Sequence, residues 1–297
     1  MTSTRFMTLL QREWMQHHKG WLIVMLAAPV LLLLAMPFGK VDLDGVQLPS
    51  TLLAAAVVGM TTIGVWAITW LVTSFQLPGL ARRDNQDRSI EFWLSLPGSH
   101  TESIAATLLM HTVFVSVLAL ALGAVMGVLM AMAVVVKLSG FGALADVSWW
   151  QLGVATFSGL LRVSLGAVLF SLWLAPVYLI MMAAAAWLKR AGVPVVIAVV
   201  VIAGNVLQKI YENPVVWTLL ERQFDGASRA LFDANHTLRE GEPVKAEVME
   251  MFNGFAGWAA QDAWSALMTL ASPHFIGGLV VAAACFGLLI LHRRSAH

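Results

Sequence analysis

Charge is what this 297-residue chain has least of: Asp, Glu, Lys and Arg make up 12% of it, about half the ~25% of an ordinary soluble domain. With 59% of its residues apolar, the chain lacks the polar surface that a water-soluble fold requires. The short signatures of self-contained catalysis are absent too. The chain has no Gly-rich phosphate loop ending in Gly-Lys-Ser/Thr, no His-Glu-x-x-His helix, no Cys-x-x-Cys pair and no Gly-x-Ser-x-Gly elbow. ATP binding, zinc proteolysis, dithiol redox chemistry and serine hydrolysis by those means are therefore excluded, and no catalytic residue, metal or cofactor is assigned to this chain. A single cysteine, Cys285, excludes an internal disulfide and reads as a small buried hydrophobe. No cleavable signal peptide is visible, because Arg5, Gln11, Arg12, Glu13 and Gln16 interrupt the place where its apolar core belongs. A net charge of +1 offers nothing to attract nucleic acid.

What the chain has instead is long apolar runs. Six stretches are free of charge: 21–38, 51–77, 104–136, 163–187, 193–207 with a few flanking residues, and 275–291. A helix rising ~1.5 Å per residue crosses ~30 Å of hydrocarbon in about 20 residues. The runs lack the alternation of barrel strands, and an open sheet leaves edge amides unsatisfied in lipid. An all-α polytopic membrane protein of six spans follows. Ten basic residues flank these runs on one side: Arg5, Arg12, Lys19, Arg82, Arg83, Arg88, Lys189, Arg190, Arg293 and Arg294. Only Lys40 and Lys137 sit in the short loops of the other. Positive charge stays cytosolic, so both termini are expected in the cytosol and the chain in the cytoplasmic (inner) membrane. Arg162 lies 27 residues before Lys189, about 40 Å of helix, and is expected to snorkel at the outer surface. The stretch 147–161, led by Trp149 and Trp150, then reads as an interfacial helix; a seven-span count, with this stretch as a further span, is the rival reading.

The resulting organisation is an amphipathic helix at the cytosolic face (1–20), spans one to five (21–208) with a cytosolic loop at 78–103, an outer or re-entrant region (209–273), and the sixth span with its tail (274–297). In the first part, Phe6, Leu9, Leu10 and Trp14 share one helical face, with Arg5, Arg12 and Gln16 turned away, as suits a helix lying along the inner leaflet. His17 and His18 point about 100° apart on a helix and lack a third ligand in sequence, which argues against a metal. Gly123 and Gly127 offer another helix a close approach, read first as packing within the chain. His111, Asn205 and Gln208 are read as locally hydrogen-bonded polar groups in or near spans, and Pro176 as a kink. The outer region is acidic, with helical patterns at 215–232 and 255–270, while Asn235-His236-Thr237 reads as a turn more than as a glycosylation acceptor.

The cytosolic loop carries the most specific pattern. After Asp87-Arg88, a short helix would place Ile90, Trp93 and Leu94 on one apolar side, opposite Ser89, Glu91 and Ser95. Pro97-Gly98 stops it, and Ser99-His100-Thr101-Glu102 offers a cap for the next helix. The full order Asp87-Arg88-Ser89-Ile90-Glu91-Phe92-Trp93-Leu94-Ser95-Leu96-Pro97-Gly98-Ser99 resembles the loop between spans two and three of type 2 ABC-transporter permeases. Leu9-Leu10-Gln11-Arg12-Glu13-Trp14 is similar to that family's N-terminal amphipathic helix, with Gln11 where a second basic residue is common. Ser272-Pro273, Gly277-Gly278-Leu279 and the closing Arg293-Arg294 are similar to its last span.

The resemblance implies a permease, most consistent with an exporter, in which Asp87, Arg88, Ile90, Glu91, Phe92, Trp93, Leu94, Leu96 and Pro97 form a coupling helix and Arg12, Glu13 and Trp14 belong to the N-terminal helix. It also implies a second permease copy, and separate cytosolic subunits that bind ATP and Mg. Membrane lipid is the remaining expected partner. Two other classes compete. One is a membrane anchor or sensor presenting the acidic outer region to another protein. The other is a secondary carrier, for which internal repeats are expected and none is evident.

Overall fold

The structure, a computed structural model, describes residues 2–39, 49–86, 99–232 and 244–295. Among them the regular structure is helical, with no strand. Eight helices follow in order: α1 (Thr2–Ala35), α2 (Ser50–Gln86), α3 (His100–Ser139), α4 (Trp149–Leu188), α5 (Gly192–Ile210), α6 (Val215–Leu231), α7 (Val244–Met268) and α8 (Pro273–Ser295). Among the described residues, five helical stretches are long and apolar enough to cross a membrane; the fourth, Trp149–Ile210, joins α4 and α5 across a short 3-10 turn at Lys189–Ala191. At this turn Lys189 takes φ 55°, and a Cβ on Gly192 would collide with the backbone of Ala184. Eight further residues of straight helix would carry the chain about 12 Å away. Contact between these two positions therefore means that α5 doubles back along α4, and α5 does pack on α4.

Helix α4 is the hub. Its residues Leu169, Phe170, Trp173, Leu174, Tyr178 and Met182 form the centre of the largest buried cluster, to which α2, α3, α6, α7 and α8 all contribute. Helices α2 and α4 run in the same direction. At one end Ser148 N donates to Thr51 Oγ1 at 3.0 Å; at the other, Trp70 Nε1 donates to Tyr178 OH at 2.7 Å, and Ser74 lies 3.2 Å from the same hydroxyl. A second buried cluster joins the first half of α2 to the second half of α3, and a third joins Trp21 and Met25 of α1 to Val65, Met110, Val115 and Ala119.

Several sequence expectations are met here. Helix α3 opens on a capping box, Glu102 N donating to Ser99 Oγ at 3.1 Å and Ser99 N to Glu102 Oε2 at 3.2 Å. The acidic region holds two helices: α6 at the expected range, and α7, which begins at Val244, eleven residues before the expected 255. Asn205 Nδ2 donates to Val201 O at 2.8 Å, a local bond within its own helix. The glycines of α3 serve the chain itself: a Cβ at Gly123 would stand 2.9 Å from Thr62 Cα, and one at Gly127 2.9 Å from Val58 O.

Four expectations need correction. The N-terminal segment is not a separate helix along the leaflet, since α1 runs unbroken from Thr2 to Ala35. Nor does Arg12 face water; Arg12 and Glu13 are buried, because α2 and α3 cover that side of α1. The stretch 147–161 is likewise no distinct interfacial helix but the first turns of α4. Arg162 within it does not snorkel. It is buried, because α6 and α7 close over that end of α4 and supply it with a carboxylate. The acceptor match at Asn235 lies outside the described residues.

The α2–α3 seam generates a comparison of two glycines. Gly127→Ala places a methyl against backbone and is expected to cost about 1–3 kcal/mol as overpacking. Gly64→Ala, with nothing within 4 Å of its Cβ, is expected to leave stability unchanged or slightly raised. Thermal unfolding of both variants in detergent checks the pair, and equal melting temperatures would contradict the assigned contact.

Candidate functional site

Glu13 lies on the inward face of α1 with 0% of its surface exposed. A carboxylate so placed is tenable only if its lone pairs are met by charged donors. They are met from three helices. Arg83, in the last turn of α2, presents both arms of its guanidinium: Nη2 lies 2.6 Å from Oε1 and Nη1 donates to Oε2 at 3.1 Å. This two-pronged geometry is the strong form of the carboxylate pair. Arg12, the preceding residue of α1, adds Nη2 at 2.5 Å from Oε1. From α3, Thr107 Oγ1 donates to Oε1 at 3.1 Å while also bonding Ser103 O within its own turn.

Around this carboxylate the polar cluster continues. Arg83 Nη1 is 3.1 Å from His17 Nε2; a guanidinium has no acceptor, so the histidine nitrogen accepts. His17 packs edge-on against His111, 5.2 Å between centroids, and His111 meets Trp21 edge-on at 5.0 Å. His111 stands in a π-helical turn, Met110–Phe114, within α3, and its Nδ1 lies 2.9 Å from Thr107 O. Such turns widen a helix locally and recur at functional positions. Glu13, His17 and His111 bring one possible ligand atom each within 4.8 Å of one another. The donor types suit a divalent cation, but two guanidiniums already engage the carboxylate and one of them faces His17. The excess positive charge stands where a cation would bind.

Of the residues singled out in sequence, Arg12 and Glu13 are thus at the centre. Trp14 is beside it, stacked on His18 at 5.6 Å and, with Leu10, bordering the Trp21–Met25 cluster. Asp87, Arg88, Ile90, Glu91, Phe92, Trp93, Leu94, Leu96 and Pro97 lie outside the described residues. Both flanks of that loop are described: Arg83 is locked to Glu13 before it, and the Ser99 capping box follows it. From the sequence, Arg83 served only as a topology marker, His17 was weighed only as a metal ligand beside His18, and Thr107 carried no signal. The one available signal was Glu13 itself, a lone acid among the basic residues Arg5, Arg12 and Lys19 at the head of a span.

A second buried ion pair occupies the opposite end of α4. Arg162 and Asp262 are 3% and 2% exposed. Arg162 Nε donates to Asp262 Oδ2 at 2.7 Å, its Nη2 lies 2.6 Å from the same oxygen, and Nη1 donates to Ala230 O at 3.0 Å. The pair ties α7 and the end of α6 to α4. Gly166 leaves room for it, since a Cβ there would stand 2.8 Å from the carbonyls of Ala230 and Leu231 and 2.9 Å from Arg162 Nη1.

No protein-family model, curated protein or solved structure matches this chain.

Removing one member of a buried pair strands the other, at roughly 3–5 kcal/mol, whereas a single hydroxyl bond to a charged carboxylate is worth about 1.5–3 kcal/mol. Glu13→Gln, which leaves two guanidiniums without their anion, is therefore expected to destabilise more than Thr107→Ala, which removes one donor to Oε1. Melting temperatures of the two variants measure the difference; parity would show that the carboxylate charge is not what holds the three helices together.

Proposed function

We propose that this chain is the membrane-spanning permease subunit of an ATP-driven ABC exporter of the cytoplasmic membrane, working with a separate ATP-binding subunit and a second permease copy. The observation that carries the reading is the Glu13–Arg83 fork. It clamps α1 to the end of α2 just ahead of the loop whose residue order resembles a coupling helix, and the Ser99 cap seats the other end of that loop on α3. In this reading a cytosolic subunit grips Phe92 and Trp93. Closure of such subunits around ATP and Mg displaces the loop, and the clamped flanks pass the movement to α1, α2 and α3 together instead of dissipating it in a hinge.

The break at Lys189–Ala191 supports counting α4 and α5 as two spans, which gives six. The basic residues support the orientation. Arg12 and Arg83 meet at the same end of the bundle where Arg293 Nη1 donates to Ser103 Oγ at 3.3 Å, and the retention of positive charge in the cytosol supports reading that end, with both termini, as the ATPase side. Helices α6 and α7 then form the outer region, and Arg162–Asp262 fastens them to α4.

The experiment is purification from native membranes. Tagged wild-type protein is expected to bring down a nucleotide-binding subunit, and Phe92→Ala/Trp93→Ala to lose it while its membrane abundance is unchanged. Copurification of no ATPase, or equal retention by the double variant, would overturn the proposal.

A further inference from the structure

Helices α2 and α4 touch at both ends and part between them. The gap is a cavity of about 330 Å³, within the range of ~300–1,000 Å³ seen for ligand sites. Small residues create it. Ala55 and Gly59 on α2 and Ala155 and Gly159 on α4 are each one turn apart and line the two long walls. Stripes of this kind usually draw helices together, as Gly123 and Gly127 do for α2 and α3. Here they face empty space instead, with nothing within 4 Å of a Cβ at Gly59. Phe252 and Phe255 of α7 complete the wall, the Phe255 ring lying 3.3 Å from where a Gly159 Cβ would be.

Three features define the occupant. The lining is almost wholly apolar, with two hydroxyls, Thr62 and Thr156, of which that of Thr62 is already committed to Val58 O at 2.7 Å, so the cavity offers little to a sugar, a peptide backbone or an ion. On α2 it extends from Leu52 to Ile63, about 16 Å of helix, close to the ~15 Å depth of one leaflet's hydrocarbon. Gly59 is exposed, so the cavity opens through the side of the bundle, and it does so in the charge-free part of a candidate span. A portal at that depth faces lipid, not water.

We infer that this cavity is a binding site for one acyl chain of a bilayer phospholipid, which enters beside Gly59 and lies between α2 and α4 under Phe255. The inference uses only the membrane placement of these helices, and it stands or falls separately from the transport proposal.

The test uses the full-length protein in phosphatidylcholine nanodiscs in which a minority of the lipid carries a diazirine midway along one acyl chain. After photolysis, peptides containing Ala155 to Gly159 and Phe252 to Phe255 are expected to carry more label than the exposed face of α5 at Val199 and Ile202, which reports ordinary contact with bulk lipid. Gly59→Phe, which fills the cavity without a backbone clash, is expected to lose most of the cavity label and leave the α5 label unchanged. Cavity labelling in the wild type no higher than on α5 overturns the site by itself, even if the variant fails to accumulate. Cavity labelling unaffected by Gly59→Phe overturns it equally.

Discussion

A carboxylate with no access to water must be surrounded by donors or it will not remain charged, and Glu13 imposes that constraint on three helices at once. Its two oxygens gather Arg12 from the same helix, Arg83 from the end of α2 and Thr107 from α3. A buried pair of this kind is a weak source of net stability, because desolvation offsets most of the attraction. Its effect is on register: the helices can slide or rotate only by stranding a charge. The apolar contacts around it, Trp21 and Met25 against Met110 and Val115, are indifferent to small shifts by comparison. The polar cluster therefore fixes which turn of α1 faces which turn of α2.

The same device recurs at the far end of the bundle. Arg162 and Asp262 bind α6 and α7 to α4, adding a directional link to the apolar packing of Ala227, Ala230 and Ala266 in the central cluster. Between these charged fixings the spans are held by shape. Gly123 and Gly127 bring α3 onto α2 at backbone contact, while the small residues of α2 and α4 stand apart around a cavity. One residue type thus produces opposite results: α3 meets α2 at backbone contact, while α4 joins α2 at Thr51–Ser148 and at Trp70–Tyr178 and leaves a cavity between those contacts.

How far the chain could be read in advance depended on the range of the interaction. The apolar runs, the capping box at Ser99 and the reversal near Lys189 are local, and their residues announce them. Arg12 and Arg162 are different. Each was expected at a surface, since a charged residue at the edge of an apolar run ordinarily reaches water. What buried them lay far off in sequence: Arg83 is 70 positions from Glu13, and Asp262 is 100 from Arg162. Likewise His17 and His18, judged as neighbours, gave no hint of His111.

The sequence by itself determined the solvent and the secondary structure. With one residue in eight charged and charge-free runs of 15 to 33 residues that lack strand alternation, only helices can satisfy the backbone in hydrocarbon. Tertiary structure decided where the polar minority goes. A helix exposes every side of itself to its neighbours, and apolar spans carry no code for which side meets which partner. The pairing of Glu13 with Arg83 and of Arg162 with Asp262, and the space left beside Gly59, emerged only when the helices were set against one another.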